Sequence, residues 1–188
     1  MATDPVVGVL ALQGDVVEHV AAMRRAGAEA IPVKNSRDLA GADALVIPGG
    51  ESTTFVRLMA LSGLDEAIAA FDRPIFGTCA GMIVLARGQL GLIDVEVRRN
   101  AFGRQVASFE TDIELAGERE PMRAVFIRAP WIEEVGDAVE VLATHDGHPV
   151  AARQGPILVT AFHPELTDDA RLHARFLASV KEGRLVRA

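Results

Sequence analysis

The sequence predicts an α/β protein: a three-layer, open, mostly parallel sheet with helices on both faces and antiparallel additions in the second half. Three observations carry this. Short, nearly all-apolar runs alternate with helix-length amphipathic segments through the first half, as in parallel strands covered on both faces. From about residue 95 the pattern changes to antiparallel signals, among them an Asp-Gly turn between two strand-like stretches. No internal repeat, low-complexity tract or linker breaks the chain, so residues 1–188 read as a single domain.

Each element has its own reason. "VVGVLAL" (6–12) is a buried strand by its continuous apolar run. "DVVEHVAAMRRAG" (15–27) is a helix with Val16, Val20 and Met23 on one side and Gly27 as its stop. "AEAIPVK" (28–34) is a second strand, and Pro32 places it near an edge or bulge because proline cannot donate to a ladder. "ADALVIPGG" (42–50) is a third strand. "STTFVRLMALSG" (52–63) is a helix opened by Ser and Thr caps and closed by Gly63. "RPIFGTC" (73–79) is a fourth strand running into a helix, "AGMIVLARG" (80–88). "AVEVLATHDGHPVAAR" (138–153) is a hairpin turning at Asp146-Gly147. "GPILVTAFHPE" (155–165) is a further buried strand, and "DDARLHARFLASVKEG" (168–183) a closing helix.

Composition narrows the function. Hydrophobic residues are 49% and charged residues 24%, the balance of a soluble globular domain. The net charge of -7, with only 5% aromatic residues and no basic run, argues against a nucleic-acid partner, which needs phosphate neutralisation and stacking platforms. No stretch reaches the ~20 apolar residues of a membrane span. The N-terminus has no basic segment and its apolar run is too short for a signal core. One cysteine cannot close an internal disulfide, which fits a reducing compartment. A cytoplasmic protein is expected.

That cysteine lies in "FGTCAGM" (76–82), within a G-x-C-x-G pattern, the cysteine form of the G-x-S-x-G nucleophile elbow. A sharp strand-to-helix turn would lift Cys79 above the sheet edge. The helix N-terminus would favour its thiolate. Gly77 and Gly81 would permit the tight backbone and close helix packing. The plain alternative is a small buried residue in a glycine-rich corner.

A thiolate nucleophile needs a base held by a third group. His19 and His173 fall within predicted helices and are expected on the surface. His145 and His148 flank the hairpin turn, with too few further ligands nearby for a metal. His163 ends an apolar strand and precedes Pro164 and Glu165. In extended backbone residues i and i+2 share a side, so Glu165 could hold the ring while its other nitrogen faces Cys79. Alternatively His163 is a strand-end histidine beside a solvated carboxylate.

Attack on a carbonyl also needs oxyanion donors. The backbone N–H of Ala80 is one candidate. "IPGGEST" (47–53), a glycine-rich strand-helix loop, is the place for the second. A phosphate turn or a plain tight turn would look similar, but neither G-x-x-x-x-G-K-[ST] nor G-x-G-x-x-G is present.

Together these residues resemble the class I glutamine amidotransferase family, with its Cys-His-Glu order. The resemblance rests on "GVLALQGD" (8–15), "PGGEST" (48–53), "GTCAGM" (77–82), "RNAFGRQ" (99–105), "FIRAP" (126–130) and "FHPELT" (162–167), which span nearly the whole chain. Within the family the match is closest to the branch that serves pyridoxal 5'-phosphate (vitamin B6) biosynthesis.

The resemblance implies that L-glutamine is hydrolysed to glutamate and ammonia through a γ-glutamyl thioester on Cys79. His163 would be the acid and base, and Glu165 would orient it. Gly49, Gly50, Glu51, Arg99, Ile127 and Arg128 would line the glutamine site, with Gly50 and Ala80 forming the oxyanion hole. It implies no cofactor and no metal. It also implies an activating partner, a separate (β/α)8-barrel synthase subunit that receives the ammonia, with "LQGD" (12–15) a candidate contact. One departure is "LARGQLGL" (85–92), shorter than the loop expected there. Other readings are a different cysteine hydrolase such as a γ-glutamyl hydrolase, a non-catalytic scaffold subunit and a redox-sensing cysteine protein. "RNAFGRQ" and "FIRAP" argue against the first, and the intact Cys79, His163 and Glu165 set against the second; the third predicts oxidation of Cys79 but no amide hydrolysis.

Overall fold

The computed structural model describes residues 4–102 and 108–187. In chain order the elements are β1 (Val6–Leu10), α1 (Val16–Arg25), β2 (Glu29–Val33), α2 (Ser36–Ala40), β3 (Ala44–Ile47), α3 (Ser52–Ser62) and α4 (Leu64–Ala69). Then come β4 (Ile75–Thr78), α5 (Ala80–Leu85), β5 (Val95–Arg98), β6 (Ser108–Ile113), β7 (Met122–Ile127) and β8 (Trp131–Val135). β9 (Glu140–His145), β10 (His148–Gln154), β11 (Ile157–Thr160), a 3-10 turn (Pro164–Leu166) and α6 (Arg171–Arg187) complete it.

The apolar runs assemble as predicted. A seven-stranded sheet has the order β2-β1-β3-β4-β11-β10-β9, in which β2, β1, β3, β4 and β11 are parallel. β3 and β4 are buried along their whole length, which explains why neither alternates. Pro32 sits on the edge strand β2, where its missing N–H costs no ladder bond. β10 and β9 add antiparallel, turning at Asp146 (φ 49°) and Gly147 (φ 79°), the left-handed pair of a two-residue hairpin.

The chain leaves β1 toward β2, then crosses back to β3. Right-handed crossovers in opposite directions put helices on opposite faces. α1 packs with α6 on one face, and α3 packs with α4 and α5 on the other. The reversal between β1 and β3 is the place where open α/β sheets bind ligands, outside the carboxyl ends of the strands.

Several sequence expectations need correction. The N-cap of α3 is Glu51, not Ser52: its carboxylate accepts from the backbone N–H groups of Thr53 (3.0 Å) and Thr54 (2.7 Å). The helix after Cys79 ends at Leu85 rather than near 88. β11 stops at Thr160, and residues 164–166 turn as a 3-10 helix instead of continuing extended. The middle of the chain forms two separate antiparallel pairs, β5 with β8 and β6 with β7.

The largest correction concerns two histidines. His19 and His173 are not surface residues; both are 0% exposed. The reason is helical spacing. Val16, His19, Val20 and Met23 follow the i, i+3, i+4, i+7 pattern, and so do His173, Phe176, Leu177 and Val180. Each histidine sits inside the apolar stripe of its helix.

Candidate active site

Adjacent parallel strands deliver the site from their carboxyl ends. β1 leads to Gln13 and Asp15, β3 to Gly49–Glu51, β4 to Cys79 and β11 to His163. Cys79 has φ 48° and ψ -103°, a conformation that L-residues avoid. The turn is held because the Cys79 N–H donates to the Thr160 carbonyl at 2.8 Å. Neither elbow glycine has room for a side chain. A Cβ on Gly77 would lie 2.7 Å from Leu85 Cδ1, and one on Gly81 would collide with the Ile47 carbonyl. α5 therefore lies directly on the sheet, with its N-terminus at the sulfur.

Among the described residues four non-glycine positions have positive φ: Cys79, Asn100, Arg128 and Asp146. Asp146 is the hairpin turn. The other three line one cavity of about 300 Å³, together with Asp15, Gly50, Glu51, Ala80, Arg99, Ile127 and His163. Strain of this kind persists only where the surroundings over-determine it, and it gathers at working sites. A larger cleft of about 620 Å³, between residues 114–121 and 141–144, holds none of these groups.

His163 is buried, and its Nδ1 lies 2.8 Å from Glu165 Oε1 and 3.2 Å from Asp15 Oδ2. With Nδ1 turned to the carboxylates, Nε2 is the nitrogen left for Cys79. Burial works against a charged ring here. Its hydrogen bonds to Asp15, Cys79 and Glu165 and the charge of Cys79 outweigh it, and His163 is pushed up to about 12. A ring in this setting readily holds a proton taken from the thiol. Burial likewise raises Glu165, but the neighbouring His19 and the hydrogen bond from His163 bring it down to about 2. The donor atoms of Asp15, His163 and Glu165 lie within 4.8 Å of one another, a spacing accounted for by these charge-assisted hydrogen bonds.

The loop after β3 is braced from β1. The Gln13 side chain donates to the Glu51 carbonyl at 2.9 Å and accepts from the Glu51 N–H at 3.3 Å. Gly50, at φ 151°, passes so close that a Cβ there would lie 2.7 Å from Gln13 Nε2. Gly49 packs on the His163 ring just as tightly. The Glu51 carboxylate caps α3 and accepts from the Thr54 hydroxyl at 2.6 Å. These bonds hold it at about 2, with Thr54 the largest contributor. Arg99 Nη2 lies 3.2 Å from Thr53 Oγ1 and 3.6 Å from Glu51 Oε1. Ile127 ends β7 and Arg128 follows it, and the Ile127 carbonyl lies 4.0 Å from Cys79 Sγ. The His163 N–H donates to the Val125 carbonyl at 2.9 Å, tying the same strand to the base.

The structure thus brings Cys79, His163 and Glu165 together, with Gly49, Gly50, Glu51, Ala80, Arg99, Ile127 and Arg128 around them. Of "RNAFGRQ", Gly103, Arg104 and Gln105 lie outside the described residues. Sequence reading missed Asp15 as a partner of His163. Its one signal was position, directly after the left-handed Gly14 at the end of the first strand. Sequence reading also missed His19 and His173, whose signal was the helical spacing described above.

His173 makes a separate prediction. Burial pushes it down to about 3 from an ordinary value of 6.5. The unfolded chain therefore takes up a proton below about 6.5 that the folded chain refuses, so stability falls as pH drops from there toward 3. The slope approaches about 1.4 kcal/mol per pH unit. Moving from pH 6.5 to 5 should cost about 2 kcal/mol in a urea titration. Most of that slope should vanish in His173→Phe. An unchanged slope in the variant would contradict the assignment. Glu165 does not share this window, since a lowered carboxylate loses its contribution only between 4.5 and about 2.

Comparisons with known proteins point to one family. A profile described as the SNO glutamine amidotransferase family matches residues 9–182. The chain is 58% identical to pyridoxal 5'-phosphate synthase subunit PdxT of Acidothermus cellulolyticus over 94% of each chain. It is 54% identical to the protein of that name from Streptomyces coelicolor over 98% of each. A crystal structure of a glutamine amidotransferase superposes with a TM-score of 0.87 at 46% identity, covering 93% of this chain and 98% of the other. A glutamine amidotransferase from Thermotoga maritima, 15% identical over all of both chains, shares the fold at a TM-score of 0.64. No helix among the described residues is long and apolar enough to cross a membrane.

Proposed function

The chain belongs to the SNO glutamine amidotransferase family, and on that premise we propose that Cys79, His163 and Glu165 hydrolyse L-glutamine and that the ammonia passes to a separate synthase subunit for pyridoxal 5'-phosphate biosynthesis. The chain is a hydrolase, the glutaminase subunit of that synthase, and we read residues 1–188 as one glutaminase domain working in the cytoplasm. The observation that carries the chemistry is the strained Cys79 elbow. It shares the wall of a cavity of amino-acid size with a histidine whose Nδ1 is held by a buried carboxylate.

The steps follow from the atoms. The Cys79 thiol gives its proton to His163 Nε2, and the sulfur adds to the side-chain amide carbon of glutamine. The oxygen that gains charge is met by the backbone N–H groups of Gly50 and Ala80. The tetrahedral adduct collapses, the C–N bond breaks, and His163 returns its proton to the departing ammonia. Water then enters. His163 takes one of its protons while the oxygen attacks the thioester, and glutamate leaves as the proton returns to the Cys79 sulfur. Glu165 keeps Nδ1–H facing it through both halves, so Nε2 stays the working nitrogen. Gly49, Gly50, Glu51, Arg99, Ile127 and Arg128 hold the substrate. Pyridoxal phosphate is the product of the complex and not a cofactor of this chain.

The test is glutamate release from L-glutamine with and without the (β/α)8-barrel subunit. Release that rises with the partner supports both chemistry and pathway. Release without partner dependence keeps the amidase and removes the pathway. Because Gln13 braces the oxyanion loop at the end of β1, Gln13→Ala should weaken partner-stimulated release about 10-fold or more while leaving the melting temperature nearly unchanged. Full stimulation in that variant would refute the role of the "LQGD" segment.

A further inference from the structure

We propose that His19 is a positioning residue of the glutaminase site: its Nε2–H holds the outer oxygen of Glu165, and His173 fixes the tautomer that makes this possible. The inference rests on the triad reading above and extends it inward. His163 engages only one oxygen of Glu165, Oε1, at 2.8 Å. Oε2 is buried and makes no in-line hydrogen bond, and the group facing it is His19 Nε2 at 3.3 Å. A buried carboxylate oxygen is costly to leave without a donor. His19 Nε2 also lies 3.0 Å from the hydroxyl of Thr78, the residue before the nucleophile. One ring nitrogen thus touches both arms of the triad.

The other nitrogen explains how the proton is placed. His19 Nδ1 lies 3.3 Å from His173 Nε2. His173 Nδ1 has no hydrogen-bond partner. A bare nitrogen lone pair is tolerated in that apolar pocket better than an orphaned N–H. His173 therefore carries its proton on Nε2 and donates it to His19 Nδ1, which leaves His19 protonated on Nε2, toward Glu165. Phe76 packs edge-on against both rings, at 6.3 Å from His19 and 5.7 Å from His173, and fixes their planes. The resulting line runs from α6 through α1 and the 3-10 turn to His163 and Cys79, and its buried members have no solvent to reorganise.

Two measurements test it. The first is nitrogen-15 NMR of histidine-labelled protein, which reads the His19 tautomer whether or not glutamine is turned over. Nε2 protonated, with a signal that moves in Glu165→Gln, is expected; a bare Nε2 overturns the proposal. The second is glutaminase kinetics with the synthase partner present. His19→Phe should lower kcat about 10- to 100-fold with KM for glutamine changed less than about twofold. His19→Gln, which keeps an N–H donor, should recover most of the loss. His19→Phe should add nothing further in a Glu165→Gln background. Unchanged kcat in a folded His19→Phe variant, or losses that simply multiply with Glu165→Gln, overturn the positioning role. Should His19→Phe fail to fold, the tautomer measurement on the native chain decides. Absence of glutamate release from the native complex would instead count against the glutaminase reading itself.

Discussion

Cys79→Ala abolishes glutamate release from L-glutamine, lowering kcat by roughly 10⁴-fold or more, while the protein stays folded. The magnitude follows from the role. The nucleophile is not one contributor among several, because without it no thioester forms and the oxyanion donors have no adduct to stabilise. The fold should survive because alanine keeps the Cβ and the N–H. The 2.8 Å bond to the Thr160 carbonyl, which holds the φ 48° turn, is a main-chain bond. The loss of one sulfur from a buried position costs about 1 kcal/mol. Removing the sulfur also removes two of the influences that raise His163. Steady-state release with and without the partner, beside a melting curve, makes the check. Release within 10-fold of the native protein would move the chemistry away from Cys79.

Gly81→Ala should be strongly damaging for a single added methyl group. The added Cβ would collide with the Ile47 carbonyl oxygen and lie 2.9 Å from its carbon, and both are main-chain atoms of a central strand. No rotamer relieves such a contact, so α5 must lift from the sheet. We expect a loss of about 3 kcal/mol in stability by denaturant unfolding. The part that remains folded should lose about 100-fold in activity, because lifting α5 moves the Ala80 N–H away from the developing oxyanion. Gly41→Ala is the control. Its φ is -81° and its Cβ would meet only the Asp38 carbonyl at 3.6 Å, so it should stay within about 1 kcal/mol of the native protein. Near-native stability in Gly81→Ala would contradict the close seating of α5.

What could be read from the chain was whatever depends on short-range order. Continuous apolar runs identify the buried parallel strands, and G-x-C-x-G identifies the elbow, because both follow from neighbours along the backbone. Even the contact between His163 and Glu165 was legible, although the reasoning passed through the wrong backbone. An extended strand would put i and i+2 on one side, and the 3-10 turn after His163 brings the two groups within 2.8 Å instead. The N-cap of α3 was misplaced for a similar reason. Glu51 is a poor cap by type, yet its carboxylate reaches two backbone N–H groups and the Thr54 hydroxyl, while Gln13 holds its main chain in place.

The sequence by itself determined the layered α/β class, the strand-borne elbow and the residue types needed for thiolate chemistry. Only the tertiary structure decided which charges share a pocket. Asp15 is 148 residues from His163 in number yet 3.2 Å away in space, because β1 and β11 both end on the same rim of the sheet. His19 and His173 are polar by type, and only the packing of α1 against α6 shows that each has a buried partner rather than solvent. Burial is a property of surfaces that meet. It gives a carboxylate or an imidazole its working protonation state, and it is settled only when distant segments close on one another.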